Sequence, residues 1–200
     1  MTDTPFIPTH GRFNGISIPQ KWNGVVFRSR LEARWAIFFE SLRPALPYEY
    51  EPELIATPYG PYLPDFWLPT IHTFWIVKGE PMDKREQDIC YWLMDHYGVC
   101  IAEGQIPDTF LNWDVDQRLV FFKDNPGSSA YQLEDGTWEC VGDYPMWFTQ
   151  SFKTGKYGVQ WSGCWNRNDG EEDGDRTAGE ETDNIKRALA IAKGHRFDTR

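Results

Sequence analysis

The sequence predicts an α/β protein with a mixed sheet flanked by helices, followed by a β-rich extension and a terminal helix. Two segments have the apolar spacing of helices, several others have the alternation or the aromatic and β-branched content of strands, and the composition changes after residue 106. With 200 residues, 40% of them hydrophobic and 16% aromatic, the chain is long enough to bury a core. We predict five parts along it: an N-terminal arm at 1–28, an α/β core at 29–106, a β extension packed on that core at 107–165, an acidic linker at 166–183 and a C-terminal helix within 184–200.

The first helix follows an arm that is rich in Pro and Gly and has one short strand predicted at 24–27. Ser29 and Glu32 have the spacing of a capping box, which indicates that the helix begins there. Pro44 and Pro47 end it. Its apolar face consists of Leu31, Trp35, Phe38, Phe39 and Leu42.

Three strands are predicted after this helix. Residues 48–53 alternate aromatic and acidic side chains, so Glu49, Glu51 and Glu53 are expected on one side of a half-buried strand. Residues 62–68 and 73–78 follow a turn at 58–61 and are joined by a short loop, which favours an antiparallel pair.

A second helix and a fourth strand complete the predicted core. Apolar residues recur at helical spacing over 83–96, and Gly98 stands where a helix terminator is expected. Residues 99–102 form a short apolar run typical of a buried strand.

The rest of the chain differs in composition. Residues 107–165 contain five tryptophans and several turn signals, which predict short strands and hairpins. Residues 166–183 hold eight acids against two arginines and predict a flexible linker, and 185–193 predict a helix. Residues 169–180 match the spacing of a calcium loop, but they lack a convincing preceding helix, and an acidic linker is the favoured interpretation.

Composition excludes some classes of function. No stretch is long and apolar enough for a membrane span, the N-terminus lacks the layout of a signal peptide, and the four cysteines lack the close pairs of a zinc site. We therefore expect a cytoplasmic protein with reduced thiols. The net charge of −10 argues against generic phosphate binding, although residues 1–43 carry six basic side chains against three acids.

Four segments point to a family when they are taken in order. They are FRSRLEARWAIFFE, YEYEPE, YLPDFWLP and FWIVKG. Together they resemble phage and bacterial members of the PD-(D/E)xK nuclease superfamily, over about residues 16–100, and Gln87 to Tyr91 repeats the QxxxY spacing of RecB-like members. The resemblance implies a restriction-endonuclease-like fold and a DNA nuclease that depends on Mg²⁺ or Mn²⁺.

The resemblance also implies roles for individual residues. Glu32 and Asp65, with the backbone carbonyl of Val77, would bind the metal, since hard cations take oxygen ligands. Lys78 would be catalytic with them, by orienting water or stabilising the developing charge. Contacts with nucleic acid are expected from Arg28, Arg30, Arg34, Gln87 and Tyr91.

One position departs from the family pattern. Ile76 stands where the (D/E)xK motif has an acid, and an isoleucine cannot ligate a cation. Either another acid has taken its place or the protein is an inactive pseudonuclease that binds nucleic acid or a host or phage protein. The candidate replacements are Glu80, if the strand continues past Gly79, and Glu49, Glu51, Glu53 and Glu86.

Overall fold

The structure, a computed structural model, describes residues 18–110, 119–122, 130–132, 138–140, 146–150, 155–161 and 182–197. The helices are α1 (Arg30–Ser41), α2 (Lys84–Met94) and α3 (Asp183–Gly194). The strands are β1 (Gln20–Trp22), β2 (Val25–Phe27), β3 (Glu49–Tyr50), β4 (Ile55–Thr57), β5 (Gly60–Tyr62), β6 (Phe66–Leu68), β7 (Thr73–Lys78), β8 (Gly98–Glu103), β9 (Leu119–Phe122), β10 (Ala130–Gln132), β11 (Trp138–Cys140), β12 (Met146–Gln150) and β13 (Tyr157–Trp161).

A five-stranded mixed sheet organises these elements, in the order β3-β6-β7-β8-β9. Its β6 and β7 strands are antiparallel, as the sequence predicts, with Phe66 opposite Trp75. The β7 and β8 strands are parallel because α2 connects them as a crossover, whereas β9 returns antiparallel to β8. The predicted mixed α/β sheet with flanking helices is confirmed.

Alternation along β7 divides the core into two layers. Trp75 and Val77 point to one face and pack with α1 and α3. Phe74 and Ile76 point to the other face, where α2 contributes Ile89, Cys90 and Leu93 to a second cluster. The sheet therefore lies between α1 with α3 on one side and α2 on the other.

Local capping explains where the helices begin. The side chain of Ser29 accepts a hydrogen bond from Glu32 N at the start of α1, as the sequence predicts. Asp83 caps α2 in a complete capping box with Glu86. Thr182 caps α3, so the helix begins at Asp183, and the last two residues of the predicted acidic linker belong to the helix and its cap.

The strand predictions need two corrections. The strand predicted over 48–53 has only two residues in the sheet, because Glu51 adopts a left-handed backbone conformation (φ 48°) that ends the pleat. The segment predicted as one strand over 62–68 is divided, because Tyr62 belongs to the β4–β5 hairpin and the sheet strand starts at Phe66.

The segment after residue 110 contributes strands to the same structure. The β9 strand extends the main sheet, while β10–β11 and β12–β13 are antiparallel pairs. Phe148 and Tyr157 are buried in the layer beneath α1 and α3. The rest of the acidic run, including the calcium-loop spacing, lies outside the described residues. No helix within the described ranges is long and apolar enough to cross a membrane.

Gly98 does not terminate α2 but begins β8, directly opposite Thr73 of β7. A Cβ at this position would collide with Thr73 Oγ1 and come within 3.1 Å of the His72 carbonyl oxygen. We therefore expect Gly98→Ala to lower the free energy of unfolding by about 1–2 kcal/mol, measured by urea denaturation. Gly194→Ala is the matched control, because no atom lies within 4 Å of its Cβ position. Equal stability of both variants would contradict the close approach of the strands.

Candidate active site

The predicted site residues Glu32, Asp65 and Lys78 lie at the carboxyl end of β7. Asp65 directly precedes β6, and Lys78 is the last residue of β7. Glu32 comes from the first turn of α1. Three separate elements thus bring these side chains to one end of the sheet.

Arg28 contacts three carboxylates in this region. Its Nη2 lies 2.5 Å from Asp65 Oδ1, and its Nε lies 2.7 Å from Glu51 Oε1 and 3.8 Å from Glu32 Oε2. Burial opposes its charge, but the carboxylates of Asp65, Glu32 and Glu51 raise the pKa of the guanidinium. A single arginine therefore serves as the counterion of three carboxylates.

Both carboxylate oxygens of Glu32 accept hydrogen bonds. Oε1 accepts from Ser29 Oγ at 2.8 Å, while Oε2 accepts from Tyr50 Oη at 2.5 Å and from Arg28 N at 3.1 Å. Burial and the hydrogen bond to Glu32 raise the pKa of Tyr50, so its hydroxyl remains a donor at neutral pH. These contacts fix the Glu32 side chain more firmly than a helix cap alone would.

Asp65 is 7% exposed and is tied to the sheet. Its Oδ2 accepts a hydrogen bond from Val77 N at 2.7 Å. Burial and the neighbouring Glu32 raise the pKa of Asp65 to about 6, although Arg28, the Val77 N–H and Lys78 oppose the rise. Two buried carboxylates that share a single guanidinium account for this raised pKa.

Lys78 forms an ion pair with an acid of α2. Its Nζ lies 2.5 Å from Glu86 Oε1, in the first turn of α2. Tyr62 and Cys90 are buried nearby, and burial raises the pKa of Cys90 to about 12, so this thiol is protonated at neutral pH. The lysine charge is therefore balanced within the protein.

Ile76 is fully buried in the apolar cluster that faces α2. Glu80 would share a strand face with Ile76 only if β7 continued past Gly79. The strand ends at Lys78 instead, and Glu80 is exposed. Glu49 and Glu53 are also exposed. Of the five candidate replacement acids, only Glu51 and Glu86 reach the site.

The arrangement does not fit a divalent cation as it stands. All four carboxylate oxygens of Glu32 and Asp65 already accept hydrogen bonds from protein donors. Among the described residues, no three His, Cys, Asp or Glu side chains form a group that could hold a metal ion. The Arg28 guanidinium occupies the position where the carboxylates converge. The metal ligands implied by the resemblance are therefore engaged with other residues of the chain.

The predicted nucleic-acid contacts divide into two groups. The guanidinium of Arg28 is directed to Asp65 and Glu51, whereas Arg30 and Arg34 lie outside this cluster on α1. Gln87 Nε2 donates to the Met82 carbonyl at 3.2 Å, and Tyr91, one turn further along α2, is half-buried. The structure thus gives Gln87 a local contact at the start of α2.

Three residues of the site have contacts that sequence reasoning did not assign. Tyr50 binds Glu32, Tyr62 is buried near Asp65, and Glu86 pairs with Lys78. The Asp83-to-Glu86 spacing was a readable signal, because it marks a capping box that places Glu86 in the first turn of a helix. Tyr50 and Tyr62 carried no local signal beyond their place in strands.

Comparison with known proteins adds no assignment. No family model, curated protein or solved structure matches the chain.

Proposed function

We propose that this chain is a nucleic-acid-binding protein built on a restriction-endonuclease-like core that does not cleave. The observation that carries the proposal is the position of Arg28, whose guanidinium contacts Asp65, Glu51 and Glu32 together. A guanidinium has a permanent positive charge and offers directed donors to carboxylates. It holds the acids on which a metal-dependent nuclease would rely in ion pairs within the chain.

Ile76 supports the same conclusion. It supplies an apolar side chain where the implied motif needs an acid, and it packs with the apolar residues of α2. The acid position of the motif is thus apolar, while Asp65 and Glu32 are paired with Arg28.

The binding part of the proposal is supported by the distribution of charge. Residues 18–43 carry five basic side chains against two acids, and 182–197 carry four against one. The helices of these two segments, α1 and α3, pack together. The segments around α1 and α3 therefore carry an excess of basic side chains in a protein that is acidic as a whole, which favours contact with a polyanion there.

The test is to measure binding and cleavage with the same protein preparation. We expect labelled single- and double-stranded DNA to bind with an affinity that falls steeply with salt, and to remain intact with Mg²⁺ or Mn²⁺. Fluorescence anisotropy reports the binding, and denaturing gels report cleavage of linear and circular DNA, with EDTA as the control. Absence of DNA affinity even at low salt would overturn the proposal and favour a protein partner.

A metal-dependent DNA nuclease is the second candidate function. It is favoured by one observation, the 2.5 Å contact between Lys78 and Glu86, which brings an acid from α2 beside the implied catalytic lysine. Cleavage that EDTA abolishes would establish this candidate over the first. In that case Asp65→Asn and Glu86→Gln should each stop cleavage while DNA binding persists.

The proposal also includes the cellular setting. A bacterial or phage origin comes from the resemblance, and the cytoplasm suits Cys90 and Cys100, which are buried free thiols. A host or phage nucleic acid would then be the partner.

A further inference from the structure

The junction of α1 and α3 carries two arginines beside a row of aromatic rings. We call this the arginine–aromatic face and define it by Arg30 and Arg34 of α1, Trp22 of β1, and His195 and Phe197 after α3. All five side chains are half-buried. None of them belongs to the ionic cluster around Arg28.

The rings follow one another without a gap. The ring centroids of Trp22 and His195 are 4.8 Å apart, and those of His195 and Phe197 are 4.7 Å apart. Trp22 is anchored by a 2.9 Å hydrogen bond from its Nε1 to Glu40. The row is therefore held in place, yet each of the three residues is only half-buried.

Among the described residues, no carboxylate forms an ion pair with Arg30 or Arg34. The guanidinium carbon of Arg34 lies 5.8 Å from the centre of the Phe197 ring, and Arg30 is one turn earlier on the same side of α1. Their Nε atoms are buried without a hydrogen-bond partner, and neither arginine has an ion pair with a residue in the described part of the chain. By contrast, Arg28 two residues earlier contacts three carboxylates.

We infer that this face binds single-stranded nucleic acid, with Arg30 and Arg34 on its phosphates and the partly exposed rings against its bases. Cations that track a backbone beside aromatic rings are the arrangement that single strands use, because unpaired bases expose their faces. A duplex keeps its bases stacked inside, so their faces are not available to side-chain rings. The inference depends on the proposed function and specifies where, and to which form of nucleic acid, the protein binds.

The first experiment removes the two charges. In fluorescence anisotropy with a labelled 20-nucleotide oligothymidine, we expect Arg30→Gln/Arg34→Gln to weaken binding by about tenfold or more at low salt. The slope of log affinity against log salt should become shallower by about 1.4, since each phosphate contact with a single strand contributes about 0.7.

The control variant carries the same change of charge on the opposite side of the sheet. Lys84→Gln/Arg85→Gln lies on α2, which packs against the other layer of the core. We expect it to keep the affinity and the salt slope of the wild type. Circular dichroism and thermal unfolding confirm that each variant is folded.

The second experiment tests the rings. Phe197→Leu keeps an apolar side chain without an aromatic face, so the affinity for the single strand should fall about fivefold or more while that for a 20-base-pair duplex changes little. An affinity equal to the wild type in the arginine variant, an equal loss in the α2 control, or an equal effect of Phe197→Leu on duplex and single strand would overturn the inference. If the wild type binds no DNA, the proposed function fails with it, whereas unchanged binding by the variants refutes only this face.

Discussion

Replacement of Arg28 with Met is expected to lower the free energy of unfolding by about 3–5 kcal/mol. The substitution keeps an apolar side chain of similar length but leaves Asp65 and Glu32, each 7% exposed, without their shared counterion. A buried charge that loses its partner keeps the cost of desolvation and loses the attraction that offset it. Urea denaturation at pH 7 measures the effect directly.

A surface ion pair supplies the control for this prediction. Lys193 Nζ lies 2.6 Å from Asp108 Oδ1, but both side chains are exposed. Lys193→Met should therefore cost at most about 1 kcal/mol, although it removes the same charge at a similar distance. If the Arg28 and Lys193 variants lost equal stability, Arg28 would not be the buried counterion that its contacts indicate.

A double variant separates the ion pair from simple packing. In Arg28→Met/Asp65→Asn the uncompensated carboxylate is also removed, so part of the lost stability should return. Loss of packing alone would leave the double variant no more stable than the single one. The sign of this coupling therefore identifies the cause.

The elements with strong local signals were predictable from the sequence. The first helix begins directly after Ser29, which caps it as its spacing to Glu32 predicts. The apolar residues that recur at helical spacing pack in the core. The antiparallel β6–β7 pair follows from two aromatic, β-branched segments and a short loop. Each of these signals lies within a short stretch of chain, 29–42 for the helix and 66–78 for the strand pair, so it depends mainly on neighbouring residues.

The elements that depend on distant contacts were not predictable. The alternation over 48–53 is that of a strand, but Glu51 turns to a left-handed conformation and its side chain reaches Arg28. Nothing local predicts that residues 28, 51 and 65 meet, because their pairing is set by how β3 and β6 lie against α1. A basic residue before a helix is ordinarily a surface charge, and sequence reasoning therefore assigned Arg28 to phosphate.

The pH dependence of stability is the second large effect that the site predicts. The pKa of Asp65 is about 6 in the folded protein, above its ordinary value of 3.8, because burial and Glu32 disfavour the charged form. Between these two pH values the folded state binds more protons than the unfolded state. The contribution of Asp65 to the free energy of unfolding then falls as the pH rises from about 4 to about 6.

A shift of this size corresponds to as much as about 3 kcal/mol, which is fully present below pH 4 and lost once the pH passes 6. Asp65→Asn has no proton to release, so its stability should lack this fall, whatever its absolute stability. Asp108→Asn, at the exposed ion pair with Lys193, should retain the fall of the wild type. Urea denaturation at half-unit steps from pH 4 to pH 7 provides the comparison. Parallel curves for the wild type and Asp65→Asn would mean that Arg28 outweighs burial and Glu32, and that Asp65 stays ionised throughout this range.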